Sequence, residues 1–319
     1  MSPAFSRRAR AFLIALTLDA LLGDPPSSVH PVGWLGRAVQ TAEATAPSGA
    51  RGRRWYGALG AAGFPLLAAI GWRVLGPRGG SRGLPPLFAD AIALDACFAL
   101  RTLLGRADDV RLALERGDIE DARRLLRYHL VSREVHDLSA SEVAGATIES
   151  VAENLSDGVI APWLAYAVAG VPGVIAYRAV NTLDAMWGYR TERYADLGWA
   201  SAHLDDIANY IPARLTALAI VAAAATSDED ARGAWRTWQH DGGATDSPNA
   251  GRPMAAMAGA LGVVLTKREA YSLGTSGRAP VAADIARASR LARTAAWLVA
   301  VQLFASMLLP MLRCTQGAR

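Results

Sequence analysis

Three stretches of the chain carry no formal charge over a length suited to a bilayer. Trp55–Trp72, Gly158–Tyr177 and Thr294–Leu312 run 18, 20 and 19 residues, close to the roughly 20 residues that cross a hydrocarbon core as a helix. Each predicts a membrane span. Ala11–Leu18 and Pro253–Thr266 are shorter, Gly83–Leu104 contains Asp90 and Asp95, and Ile207–Thr226 contains Arg214; each of these windows fits a span, a re-entrant segment or a buried helix. From Gly105 to Ser141 the pattern turns polar. Val110, Leu112 and Leu114, then Ile119, Ala122, Leu125, Leu126 and Leu130, recur at helical spacing and predict two amphipathic helices broken near Gly117. The expected fold class is therefore all-α: a polytopic integral membrane protein forming a single membrane-embedded domain over residues 1–319, with 105–141 as a polar helical insertion. Arg101, Arg106, Arg111, Arg116, Arg123, Arg124, Arg127 and Arg133 around that insertion put it on the cytoplasmic side by the positive-inside rule. Gly76–Pro86 reads as a linker or turn.

The next helix start is marked by "SASE": Ser139 is set to cap the first turn and Glu142 to return the contact as a capping box. A helix is expected from about Ala140 to Asp157, interrupted or kinked by Gly158 and Pro162. At about 100° per residue, with Glu149 as origin, Glu142 falls near 20°, Glu153 near 40° and Asp157 near 80°. Four acids thus share one face, opposite Ala144, Ile148, Val151, Ala152 and Leu155. Like charges one turn apart repel. Mg²⁺ arriving with a phosphate ligand would offset the repulsion, since it takes one or two protein carboxylates plus waters and phosphate oxygens. A solvated face paired with the preceding arginines is the alternative.

Composition changes the picture in three places. Apolar residues are 52% of the 319, high for a soluble protein. The net charge of +4 comes almost entirely from arginine, Lys267 being the one lysine; this excludes a GxxxxGK[ST] phosphate loop, and the scattered arginines give no nucleic-acid signature. Cys97 and Cys314 lie in apolar surroundings and suggest neither a disulfide framework nor a metal pair. The N-terminus has the basic start and short apolar run of a signal peptide, but Asp19 interrupts it and no cleavage site follows, so an uncleaved entry helix is expected.

Polar residues collect again beyond the second span. Tyr177, Arg178, Asn181, Asp184, Tyr189, Arg190, Glu192, Arg193 and Tyr194 lead to Asp205, Asp206 and Asn209, a DDxxN cluster whose oxygens suit Mg²⁺. Arg190, Arg193 and Arg214 offer bidentate forks for phosphate or carboxylate, while Tyr189, Tyr194 and Trp199 also fit an interfacial belt. In "DGGATDSPNAGRP" the turn carrying Ser247, Asn249 and Gly251 enters a small-residue helix, and its amides could cradle an anion; it is also ordinary turn chemistry. Asp19, Asp24 and His30 surround a Pro-rich break, where a structural role for His30 is the plainer reading.

Taken in order, "LLGDPP...HPVGWLGR", "ESVAENLSDGVIAPWL", "YRAVNTLDAMWGYRTERYADLGWASAHLDDIANYIPARL" and "SPNAGRPMAAMAGALGV" resemble the adenosylcobinamide-phosphate synthases of cobalamin biosynthesis, the CobD/CbiB family. Asp246 stands before Ser247 where many members have histidine, and Ala185 and Trp187 also depart from the family pattern. The resemblance implies a multi-pass enzyme of the cell (inner) membrane. It would join adenosylcobyric acid to (R)-1-aminopropan-2-ol or its O-phosphate, forming an amide at a corrin propionate with consumption of ATP. The expected cofactors are ATP and Mg²⁺, the expected partners the bilayer and possibly the membrane cobalamin synthase, with no nucleic acid. Within that reading Glu149, Glu153, Asp157, Asp205 and Asp206 would hold the metal. Arg190 and Arg214 would neutralise phosphoryl charge, and Asn154, Asn209 and Asn249 would orient the reactants. Asp184 joins the catalytic candidates, and Arg193, Ser247, Asn249 and Gly251 would hold the nucleotide. Two other classes stay open: a Mg²⁺-dependent membrane prenyl or alcohol phosphotransferase, and a transporter using Asp90, Asp95 and Asp184 as ion sites.

Overall fold

The structure, a computed structural model, describes residues 3–24, 31–77, 85–189 and 191–316. His30 and Arg190, both named above, lie outside the described residues, as does the Cys314 side chain. The chain is an all-α polytopic membrane protein. Its helices are α1 (Pro3–Leu22), α2 (Pro31–Ala44), α3 (Ala50–Leu75), α4 (Pro86–Asp95), α5 (Leu100–Glu115), α6 (Ile119–His129), α7 (Ala140–Leu155), α8 (Ala161–Trp187), α9 (Trp199–Ala225), α10 (Ala231–Asp241), α11 (Gly251–Leu261) and α12 (Ala282–Gln316). A two-stranded antiparallel hairpin, β1 (Leu265–Lys267) and β2 (Tyr271–Leu273), pairs Leu265 with Leu273.

Four helical stretches are long and apolar enough to cross a membrane: Ala50–Leu75, Ala140–Trp187, Trp199–Ala225 and Ala282–Leu308. Two contain charge-free windows whole, Ala282–Leu308 takes in most of the third, and Trp199–Ala225 covers nearly all of the window with Arg214 inside. Pro253–Thr266 is instead the short helix α11, buried along its whole length, running into β1. Gly83–Leu104 is divided between α4 and α5. Two amphipathic helices occupy the polar insertion, and Gly117 separates them at φ +75°, a left-handed turn that glycine adopts without a Cβ penalty.

The capping box forms: Ser139 Oγ accepts from the Glu142 amide at 3.3 Å, and a Glu142 carboxylate oxygen accepts from the Ser139 amide at 2.8 Å. The α-helix is interrupted where expected, by a π turn rather than a stop: Ser156–Ile160 forms a single π-helical turn that passes directly into α8, and the missing N–H of Pro162 falls where the α-helical hydrogen-bond ladder is already interrupted. A second break comes at Gly170, with φ 67° and ψ −156°.

Contacts divide the chain into two compact units. The first comprises residues 1–99, 161–208 and 301–319, and the second 100–160 and 209–300. In the first, Trp163 is 1% exposed and takes Phe12 and Phe98 edge-on, with centroids at 5.6 and 5.3 Å. A further cluster gathers Val39, Leu183, Trp187 and Leu197. Helix α3 meets this unit along one ridge, Gly57, Ala61 and Pro65, while Leu59, Leu66, Leu67 and Leu75 are exposed, as suits a helix facing lipid. A Cβ on Gly57 would come within 1.9 Å of the Leu197 carbonyl oxygen, so only glycine permits the approach.

In the second unit α7 is the central rod, with every residue from Val143 to Ala152 buried. α5, α6, α11 and β1 pack on it. α10 and α11 cross closely because Gly233 and Gly259 face each other: a Cβ on Gly259 would lie 2.3 Å from the Gly233 oxygen.

Candidate functional site

The acid stripe of α7 is not a solvated face. Glu149 is 5% exposed, enclosed because all sides of α7 are covered at this level. Its Oε2 accepts from Arg133 Nη2 at 3.3 Å, while its Oε1 is buried without a hydrogen-bond partner; the Tyr271 hydroxyl, delivered by β2, donates to Met254 Sδ at 3.9 Å. Glu153, one turn on, and Lys267 on β1 act on it electrostatically. Burial, then the neighbouring Glu149 and Glu153 carboxylates, push the Tyr271 phenol above its usual range, so it stays protonated. Ser150 secures the Arg133 segment by donating to the Leu130 carbonyl at 2.9 Å. Asn154 turns back to donate to Ser150 O at 2.9 Å and Ser150 Oγ at 3.1 Å. Glu142 serves structure: besides capping, it accepts from Arg268 Nε at 2.6 Å.

The five acids assigned to a metal divide by unit. Glu149, Glu153 and Asp157 belong to the second, and Asp205 and Asp206 to the first. Among the described residues no three acidic, histidine or cysteine side chains form a group able to hold a metal ion; a cage of protein ligands alone is therefore not what the α7 acids build. Two neighbouring carboxylates, Glu149 and Glu153, still match the donor number that a nucleotide-borne Mg²⁺ takes from protein.

A second constellation in the same unit joins α9 to the turn before α11. Arg214 lies with its guanidinium 3.5 Å over the Tyr210 ring and donates to Tyr210 O at 2.8 Å and Asn249 Oδ1 at 3.2 Å, which explains how an arginine fits an otherwise apolar helix. Asn209 and Asn249 are 1% and 4% exposed. The amides expected to cradle an anion are engaged locally. Ser247 Oγ accepts from the Asn249 and Ala250 amides at 3.3 and 3.5 Å, and Thr245 Oγ1 accepts from Gly251 at 3.1 Å. Gly251 is needed for packing, since a Cβ there would lie 2.8 Å from both Gly242 O and Thr245 Oγ1. This turn holds Asn249 in place.

In the first unit Arg193 pairs with Glu43 at 2.6 Å, and Tyr194 donates to the same carboxylate at 3.0 Å. Arg54 stacks over Trp199 at 4.4 Å. These are the contacts of an interfacial belt, and the Arg193 fork is occupied by protein. Asp184 stands beside Gly188, where any Cβ would meet its Oδ1 at 2.0 Å. Asp95 is drawn up to about 7 by burial and then by the charges of Asp19 and Asp24, while burial raises Cys97 to about 12 and keeps it an unreactive thiol.

Arg133, the partner of Glu149, and the neighbouring Tyr271 were not among the predicted site residues. Nor were those lining a groove of about 880 Å³ in the second unit, which includes Trp235, Arg236, His240, Thr275, Ser276 and Arg278. Its sequence signal was slight: Trp235 and Trp238 recur at helical spacing beside Arg236.

Comparison with known proteins agrees with this architecture. The family model described as CobD/Cbib protein matches residues 12–299. The chain is 43% identical over 265 residues to the cobalamin biosynthesis protein CobD of Geobacter metallireducens, covering 81% of each. It is 41% identical over 311 residues to that of Chromobacterium violaceum and 41% over 310 residues to that of Mycobacterium tuberculosis, in both cases covering 93% of this chain and 96% of the relative. No solved structure matches the chain. A polytopic helical protein with its acid-bearing rod, its "SPNAG" turn and this match along nearly its whole length belongs to the CobD/Cbib protein family of cobalamin biosynthesis.

Proposed function

We propose that the chain is an adenosylcobinamide-phosphate synthase of the cell (inner) membrane: an ATP-dependent ligase joining adenosylcobyric acid to (R)-1-aminopropan-2-ol or its O-phosphate. The observation that carries this reading is the family match across residues 12–299, with relatives named for cobalamin biosynthesis. Amide formation from a carboxylate and an amine is uphill in water. Coupling to ATP overcomes this: a propionate oxygen attacks the γ-phosphorus, ADP leaves, and the amine displaces inorganic phosphate from the acyl phosphate.

In this reading Glu149 and Glu153 would hold a Mg²⁺ accompanying the nucleotide, with Asp157, Asp205 and Asp206 as further acidic candidates; the ion would supply neutralisation of triphosphate charge. Arg133 fixes the Glu149 carboxylate in position. Arg214, with Arg190, counters charge on the phosphoryl group in flight, and Asn154, Asn209 and Asn249 orient the reactants. The bulky substrate needs a wide site, and the groove beside Trp235 has the volume of sites that enclose drug-sized ligands. The enzyme completing the nucleotide loop in the same membrane is the partner this chemistry calls for.

Purified protein supplied with adenosylcobyric acid, ATP, Mg²⁺ and each form of the amine tests the proposal by the mass of the corrinoid product. ATP-dependent gain of the amine is the expected result; no product with either amine overturns it. With carboxyl-¹⁸O substrate, label in the released phosphate is expected, and its absence excludes the acyl phosphate. Glu153→Gln and Asp205→Asn should each abolish turnover in folded protein, and wild-type rates would remove them from the mechanism.

A further inference from the structure

A smaller cavity in the first unit, about 270 Å³, is lined by Arg7, Arg8, Arg73, Asp90, Tyr166 and the backbone around Gly170, among others. It is built where α8 breaks. Gly170 takes φ 67°, and the space a Cβ would fill lies 3.1 Å from Arg8 Nε. Arg8 Nη1 donates to the Val168 carbonyl at 3.4 Å, and the Tyr166 hydroxyl donates to the Arg8 carbonyl at 3.3 Å. Arg7 Nε pairs with Asp90 at 2.9 Å. Lining charges are thus three guanidinium groups against one carboxylate, a net +2 in a concave, partly desolvated space where charge is screened less than at a flat surface.

The cavity also has a defined place along α8. Gly60 approaches Trp187, and Phe64 packs edge-on against Trp187 at 6.4 Å, while Trp72 and Arg73 share the cavity with Ala169–Pro172. The second half of α8 therefore runs antiparallel to α3, and its 17 residues from Val171 to Trp187 span about 26 Å. The break, with its arginines, sits at the end of that half-helix farther from Trp187. Val171 and Pro172 begin the half-helix, and their end of the dipole adds positive potential to that of the arginines.

We propose that this cavity binds the phosphate group of a small phosphate ester at the membrane face. Arginine forks match phosphate oxygens bidentately, and the volume is below the roughly 300–1,000 Å³ of sites for larger ligands, which excludes a nucleotide or corrin ring. A phospholipid headgroup and a free phosphorylated substrate present the same chemistry. The inference stands apart from amide synthesis, because binding is read without corrinoid or ATP.

The test uses the full chain in phosphate-free detergent. In one arm, inorganic phosphate is titrated against chloride and acetate controls by calorimetry. In the other, phosphatidylglycerol retained over phosphatidylcholine is counted by native mass spectrometry. Binding in either arm is expected, and the responding arm identifies the source. Arg73 is exposed and can be replaced without stranding Asp90: Arg73→Gln should weaken binding about tenfold or more, as loss of a charge-assisted contact does, and Arg73→Glu should abolish it while elution in size-exclusion chromatography stays unchanged. The proposal is overturned if wild type binds neither ligand above its controls, if acetate binds as well as phosphate, or if Arg73→Gln binds like wild type.

Discussion

Replacing Arg133 by glutamine tests how the buried acid of α7 is held. Glu149 is 5% exposed and takes its formal countercharge from Arg133, whose side chain is 29% exposed. Removing one partner of a buried pair costs about 3–5 kcal/mol when the remaining charge stays dry. Because Arg133 reaches partly into solvent, about 2–3 kcal/mol is the better figure. The reverse change, Glu149→Gln, keeps the shape and releases a guanidinium that water can reach, so its cost should stay below about 1 kcal/mol. For a chain of this size 1 kcal/mol shifts the midpoint by roughly 2 °C. Thermal unfolding in a mild detergent should then show Arg133→Gln lowered by about 4–6 °C, Glu149→Gln within about 2 °C of wild type, and the double variant close to Glu149→Gln, since no charge is left stranded. Glu149→Gln should nonetheless lose amide synthesis. If Glu149→Gln destabilised as much as Arg133→Gln, or the double variant were the sum of the two, the acid would be held by something other than this pair.

Three further outcomes follow. The Asp95 carboxyl has a folded-state pKa of about 7 against an ordinary 3.8, so the native state holds an extra proton between those values; stability should fall as pH rises from about 4 through 7, and Asp95→Asn should raise the midpoint at pH 8 far more than at pH 5. Gly259→Ala should cost at least about 2 kcal/mol through overpacking against the Gly233 carbonyl, seen as an earlier melt. Ser139→Ala removes the capping box and should cost about 1 kcal/mol, with Ser139→Asp restoring most of it.

Local features of the fold were legible because local physics decides them. Ser139 and Glu142 form their capping box within one turn, and Gly117 separates α5 from α6 as the hydrophobic spacing implies. Gly158 and Pro162 marked where the α-helix is interrupted, but could not show that a π turn would carry the chain straight on into α8. The window holding Arg214 stayed ambiguous for a non-local reason: its charge is accommodated by the Tyr210 ring and by Asn249, from a distant turn. The site followed the same division. Helical periodicity put Glu149 and Glu153 on one stripe, but nothing in it could show that Arg133 folds back onto Glu149, or that a strand of three residues, too short for any pattern, would bring Tyr271 there.

Helix α3 buries Gly57, Ala61 and Pro65 against α8 and its surroundings and turns Leu59, Leu66, Leu67 and Leu75 outward. Its outer side is thus left to the surrounding medium: swapping one outward leucine for another aliphatic should pass unnoticed, whereas any side chain at residue 57 would force α3 away from the Leu197 carbonyl. Acyl-chain length of the solubilising amphiphile therefore acts on this protein much as a core mutation acts on a water-soluble one, and activity lost on extraction into short-chain detergents should return on transfer to a thicker bilayer.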